Sequence, residues 1–251
     1  MKKLASKIVS LALAAAFAVT SVPMVANAAP YYSLSGMVYL TGNDYTTTDL
    51  YVSNLGKSDK LKSVKSSAKS VATVESIQHT ASTYSTNITY TDSVNKPYNY
   101  KYDSYYAYIN LKLKKAGTTK ISFKIGSKSY STSLKVMKYT NPAKSITITG
   151  VNSNKDISSK TKSKNNGTVK VSKKASNAKI ALSAKSGWKI TNIEFRNYAQ
   201  NIQYSQSYNA TGVSKATMYV GNLAKGTAGQ LSVRYQDKNG APITLYYSLT
   251  K

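Results

Sequence analysis

Apolar residues recur at every second position along this chain, and that period governs what it can fold into. Residues 105–114 read Tyr-Tyr-Ala-Tyr-Ile-Asn-Leu-Lys-Leu-Lys. Tyr105, Ala107, Ile109, Leu111 and Leu113 share one parity; Asn110, Lys112 and Lys114 share the other. A β-strand turns successive side chains to opposite faces, so this stretch buries one face and solvates the other. No segment carries the 3.6-residue period of an amphipathic helix. Strands are predicted at 34–40, 50–53, 61–65, 71–75, 87–91, 105–113, 120–125 and 129–136. Further strands are predicted at 145–149, 168–171, 179–183, 189–196, 216–220, 231–236 and 243–249. Thr, Val, Ile and Tyr fill them, as a half-buried pleated surface requires. Short strands divided by Gly, Asn, Ser and Pro predict an all-β chain of antiparallel β-sandwiches. Gly126-Ser127 predicts a type II′ hairpin, and Asn239-Gly240 supplies positive φ to the hairpin before the last strand.

The N-terminus reads as an export signal. Lys2, Lys3 and Lys7 precede an apolar run at 8–19, Pro23 ends it, and Ala26-Asn27-Ala28 gives the small-x-small cleavage pattern. The reading is a signal peptide over 1–28 and a mature chain from Ala29, secreted or at the cell surface. About a dozen apolar residues cannot cross a hydrocarbon core of roughly 30 Å, and no later segment comes closer, so no transmembrane segment is expected. Residues 139–144, with Pro142 among them, separate two alternating strands. Division there predicts a domain at 29–140 and another at 141–251, each the size of one sandwich. The halves differ in composition: net charge +9 with 15 Tyr, against +14 with seven Tyr.

Two stretches of the first half carry a resemblance. Residues 64–74, Val-Lys-Ser-Ser-Ala-Lys-Ser-Val-Ala-Thr-Val, match an SS-x-x-x-VATV pattern. Residues 113–125, Leu-Lys-Lys-Ala-Gly-Thr-Thr-Lys-Ile-Ser-Phe-Lys-Ile, match KAGTTTITVK. In these the chain resembles the group 2 bacterial immunoglobulin-like domains of surface and adhesion proteins, over residues 64–136. The departures are Val64, where that family usually has an aromatic residue, and a long Tyr-rich insert from 76 to about 105. The resemblance implies an immunoglobulin-like sandwich in a non-enzymatic surface or adhesion role. The second half matches in style alone.

The insert is the leading candidate for a binding site. Residues 84–108 hold Tyr84, Tyr90, Tyr98, Tyr100, Tyr102, Tyr105, Tyr106 and Tyr108. If a strand begins near 98, Tyr98, Tyr100, Tyr102, Tyr106 and Tyr108 form a ladder on the face opposite the core parity. Exposed tyrosines present a flat apolar ring and a polar tip, which suits a glycan or a protein partner. The alternatives are rings packed on the other domain or rings that cover a sheet without binding. A second candidate is electrostatic. Thirty-three of the 35 basic residues are Lys, densest as Lys160, Lys162, Lys164, Lys170, Lys173 and Lys174. They suit envelope polysaccharide, an anionic wall polymer or a host or surface protein; the alternative is a solvated loop. Nucleic-acid sites favour Arg forks, so no nucleic-acid partner is expected.

Composition argues against chemistry. The chain has no Cys, which excludes a disulfide scaffold and a Cys nucleophile. His79, between Gln78 and Thr80, reads as a surface residue. Asp44, Asp49, Asp59, Asp92, Asp103, Asp156 and Asp237 are scattered, and Glu194 shares the parity of Arg196, so no metal, cofactor or catalytic pair is expected. Trp188 alternates with Ile190, while Ile193 and Phe195 take the other parity. A bulge near Asn192 reconciles them and makes Trp188 a core residue; the alternative is a sugar-stacking ring. The expectation is a non-catalytic binding or adhesion protein, with a structural stalk or matrix module as the alternative.

Overall fold

The computed structural model describes residues 29–43, 46–88, 98–209 and 211–250, without the side chains of 84–88 and 98–102. The export-signal reading lies outside them. The first half holds β1 (Tyr31–Ser33), β2 (Met37–Tyr39), β3 (Thr46–Leu55), β4 (Leu61–Ser66), β5 (Ala72–Ile88), β6 (Tyr98–Leu113), β7 (Gly117–Ile125) and β8 (Lys128–Met137). These form sheets ordered β1-β3-β6-β5 and β2-β8-β7-β4. That is the constant-type immunoglobulin arrangement, with its first strand split between the two sheets.

The second half holds β9 (Ala143–Ile148), β10 (Asn166–Lys170), β11 (Lys179–Ala184), β12 (Trp188–Asn197), β13 (Ile202–Ser207), β14 (Lys215–Tyr219), β15 (Gly229–Asp237) and β16 (Pro242–Thr250). Its sheets are β14-β11-β9 and β10-β16-β15-β12-β13. Here the strand after β12 stays in the larger sheet, whereas in the first half the strand after β4 joins the opposite one. Both halves are immunoglobulin-like sandwiches, but of different strand order. The only helices among the described residues are two 3₁₀ turns, Asn152–Asn154 and Ser158–Thr161.

Several sequence expectations need correction. Pairing is not purely antiparallel: β2 runs parallel to β8, and β10 parallel to β16. Neither pair is joined by a hairpin, so connectivity does not force opposite directions. The strand expected at 34–40 is broken at Ser35-Gly36, where the chain leaves β3 for β8. The strand expected at 71–75 runs on as β5 to Ile88, and the one expected at 105–113 begins at Tyr98. Strand β13 was missed. Its residues, Ile-Gln-Tyr-Ser-Gln-Ser, have too few apolar positions to show a period. In the last hairpin positive φ falls on Gly240 alone, while Gly126 adopts φ 57° as its turn type requires.

Each sandwich has its own core. The first is built on Leu50, Val52, Ile109, Leu111, Ile121, Phe123 and Leu134, all at most 1% exposed. The second is larger and includes Ile146, Ile180, Ile190, Ile193, Phe195, Val233, Tyr235 and Tyr247. Full burial of each such side chain contributes about 1.5–3 kcal/mol. In β12 the register against β15 shifts between Ile190 and Asn192, and this bulge brings Trp188, Ile190, Ile193 and Phe195 into one core.

The two resembling stretches touch. Ser66 Oγ lies 2.7 Å from Thr119 Oγ1, the Ala68 amide donates to Thr119 Oγ1, and the Lys120 amide donates to Ser67 Oγ. A Cβ on Gly117 would lie 2.7 Å from Val71 Cγ2. The Ser-Ser pair and the Ala-Gly-Thr turn are therefore two sides of one joint, buried at Ser66 and Thr119, which explains why these residue types occur together.

Candidate binding face on the outer sheet

The parity read from the sequence holds in β6. Ala107, Ile109, Leu111 and Leu113 are buried, and Tyr105 packs on the same core. Tyr106 and Tyr108 face outward. The side chains of Tyr98, Tyr100 and Tyr102 lie outside the described residues; their backbone belongs to β6, paired with Ile88, Thr86 and Tyr84.

Tyr106 and Tyr108 are half-buried rather than fully exposed, because the rings cover one another and are joined by a third. Tyr51 of β3 pairs in register with Tyr108. Its ring lies 5.3 Å from Tyr108 and 5.7 Å from Tyr106, and those two rings are 5.7 Å apart and nearly perpendicular. Tilted and edge-on contacts of this kind suit the ring quadrupole. Sequence reading missed Tyr51, although a signal was present: it sits between Leu50 and Val52, whose parity sends it outward. Next to the cluster, Ser82 Oγ lies 3.1 Å from the Tyr106 hydroxyl, and Asn110 Nδ2 donates to Ser76 Oγ at 2.6 Å. The result is a hydroxyl-rich patch around three rings, with exposed Asp49 beside it in register with Asn110.

Where β5 and β6 leave the sandwich, a cavity of about 280 Å³ lies between Leu55, Lys57, Asp59, Lys60, His79 and Tyr105. His79 is exposed, as read from the sequence, but it is not idle. Its Nε2 accepts the Leu61 amide at 3.1 Å. Burial and the nearby Lys60 lower its pKa below 6.5. The proton of the neutral ring therefore sits on Nδ1.

The six lysines of the second candidate are all exposed. Lys160 sits in the second 3₁₀ turn, Lys162 and Lys164 in the loop after it, Lys170 at the end of β10, and Lys173 and Lys174 beyond. Among the described residues none of these six lies within ion-pair distance of a carboxylate, whereas Arg196 pairs with Glu194. Asp156, in the same region, is engaged in structure. Its carboxylate accepts the amides of Ile146 and Ser158 and the Ser158 hydroxyl. Trp188 is 9% exposed and belongs to the second core. Among the described residues no group of three His, Asp or Glu side chains forms a metal cage, and no helix is long and apolar enough to cross a membrane.

No protein family matches the chain by sequence pattern, and no curated protein matches it. Solved structures do align with it. The Yersinia pseudotuberculosis adhesin InvE is 12% identical over 87% of this chain and 58% of its own length, at a TM-score of 0.25. Domains 5-6 of the S-layer protein SbsC are 11% identical over 89% of this chain and 97% of theirs, at 0.27. Zebrafish RET cadherin-like domains 1 to 4 are 10% identical over 88% and 50%, at 0.29. Likeness this distant carries no argument about function; the fold rests on the strand orders above.

Proposed function

We propose that this chain is a non-catalytic binding module, secreted or displayed at the cell surface, that engages a glycan or protein partner through the outer face of β3 and β6. One observation supports this reading above the rest: Tyr51, Tyr106 and Tyr108 cluster on the solvent side of a sheet whose other side is the core. Rings with polar tips give rigid contact area at low entropic cost. Tyr98, Tyr100 and Tyr102, on the same strand parity, would extend the face. The lysine run would add loose, salt-sensitive attraction to an anionic wall polymer or envelope polysaccharide. An export signal at 1–28 followed by units at 29–140 and 141–251 is part of the same proposal.

The test is co-sedimentation of the purified chain with cell envelope at low and high salt, beside Tyr51→Ala/Tyr106→Ala/Tyr108→Ala. Binding that survives salt and disappears in the variant supports the tyrosine face. Binding that salt abolishes in both proteins assigns attachment to the lysines. Absence of binding to envelope, glycan arrays and surface proteins alike favours the second reading, a structural module. That reading draws on the contacts that fix one sandwich on the other, among them Asn43 Nδ2 to Asn165 Oδ1 at 2.9 Å and the Asn165 amide to the Thr41 carbonyl at 2.7 Å.

A further inference from the structure

Lysine is unevenly spread along this chain, and one of the stretches poor in it forms a long strand. Residues 76–108 hold two Lys and two Asp, a net charge of zero in a chain of +26. Within them, residues 76–88 form a run of 13 with no charged residue, no Pro and no Gly. The fold puts this run on the rim of a sheet, since β5 is the terminal strand of β1-β3-β6-β5. Residues 77–81 are exposed, Ile77 at 37%.

Other rims differ. Proteins block sheet edges against self-pairing by placing Lys on them or keeping them short. Here β4, β9, β10 and β14 each carry Lys, and β1 and β2 have three residues each. Strand β13 is uncharged but only six residues long. Strand β5 is 17 residues long and lacks both safeguards beyond Glu75. Its ladder with β6 continues to Ile88↔Tyr98, whereas β3 stops pairing with β6 at Tyr105. Past that point no third strand among the described residues pairs with either of them.

We infer that β5 is a self-association edge, and that its occupant is β5 of a second copy of this chain, paired antiparallel about a two-fold axis. Charge selects that occupant. Two copies of a chain of +26 meet with least repulsion where each presents an uncharged strand, whereas an anionic partner would be drawn to the lysines instead. Pairing about the two-fold axis joins the two four-stranded sheets into one of eight strands. It also keeps both Tyr51–Tyr106–Tyr108 clusters on the same side of that sheet. The proposal does not depend on what those tyrosines bind.

The experiment is sedimentation velocity of the purified full chain across a concentration series at low and high salt, with no envelope present. A monomer–dimer equilibrium is expected, and it should tighten with salt, because screening removes the residual repulsion between copies. Lysine binding to an anionic polymer has the opposite salt dependence. Thr80→Lys/Ala81→Lys and Thr80→Glu/Ala81→Glu should each weaken the dimer at least about tenfold, because like charges meet across the two-fold axis. Gln203→Lys/Ser205→Lys, on β13, should leave it intact. Amide exchange in 76–83 should slow on association, which separates loss of pairing from loss of folding. A monomer under all conditions overturns the proposal. So does a dimer that survives both β5 variants, or one that only the β13 variant dissolves.

Discussion

Tyr39 and Trp188 belong to different sandwiches, yet their rings pack at 5.2 Å, and the Tyr39 hydroxyl donates to Asp237 Oδ2 at 2.9 Å. Tyr39 ends β2, which lies along β8, the strand leading into the linker. On the far side of the linker the Tyr139 hydroxyl donates to the Thr161 carbonyl, and Asn141 Nδ2 to the Ser158 carbonyl. The joint is thus packed on both flanks.

Removing the Tyr39 hydroxyl tests this joint. Tyr39→Phe should cost about 1 kcal/mol, and Tyr39→Ala more, since it also removes the ring contact. Burial, with the hydrogen bond and negative charge of Asp237, pushes the Tyr39 phenol up to about 12, and burial takes Tyr139 to about 12. A raised folded-state pKa stabilises the fold below the unfolded value of 10 and is lost as pH rises through the folded one. Melting temperatures should therefore fall between pH 10 and 12. Tyr39→Phe should flatten that slope, and an unchanged slope would remove Tyr39 from the joint.

The bulge in β12 makes an unusual deletion tolerable. Thr191 is the extra residue, because Ile190 pairs with Tyr235 and Asn192 with Arg234. Without it, Trp188, Ile190, Ile193 and Phe195 would alternate regularly against β15. Deletion of Thr191 should leave a folded second sandwich, at the cost of the contact between its carbonyl and the Tyr208 amide. Deletion of Glu194 should unfold it, since Phe195 would change faces. Emission from the single tryptophan, Trp188, reports both outcomes.

His79 provides an acid response. Its pKa is lowered by burial and by Lys60, so the unfolded chain binds its proton more readily. Stability from this group is present above pH 6.5 and is lost as pH falls through the lower folded value. Protonation also removes the acceptor of the Leu61 amide. Exchange at that amide should accelerate on acidification in the native protein and be insensitive to pH shift of this kind in His79→Ala, once intrinsic exchange rates are corrected.

Asp156 responds at lower pH. Burial pushes its carboxyl up, but the hydrogen bonds from Ile146, Ser158 and the Ser158 hydroxyl outweigh this and leave the pKa lowered. Its stabilisation is full above the ordinary value of 3.8 and is lost as pH falls through the folded value. Asp156→Ala should cost on the order of 1–2 kcal/mol at neutral pH and reduce the dependence of stability on acid. Equal acid sensitivity in the two proteins would exclude this role.

Much of the fold was legible in local pattern. The core parity of β6, the Gly126 turn and the bulge between Ile190 and Ile193 are all written in spacing, because alternation is a property of one strand at a time. Tyr106 and Tyr108 were placed on the outer face by the same arithmetic. What the sequence could not decide was which strands become neighbours. Tyr51 joins Tyr108 across 57 positions, Ser66 meets Thr119, His79 receives the Leu61 amide, and Tyr39 reaches Trp188. The break at Gly36 and the transfer of β2 to the edge of β8 belong to the same class. Pairing across such separations is chosen by the shared burial of whole sheets, and only the tertiary structure records that choice.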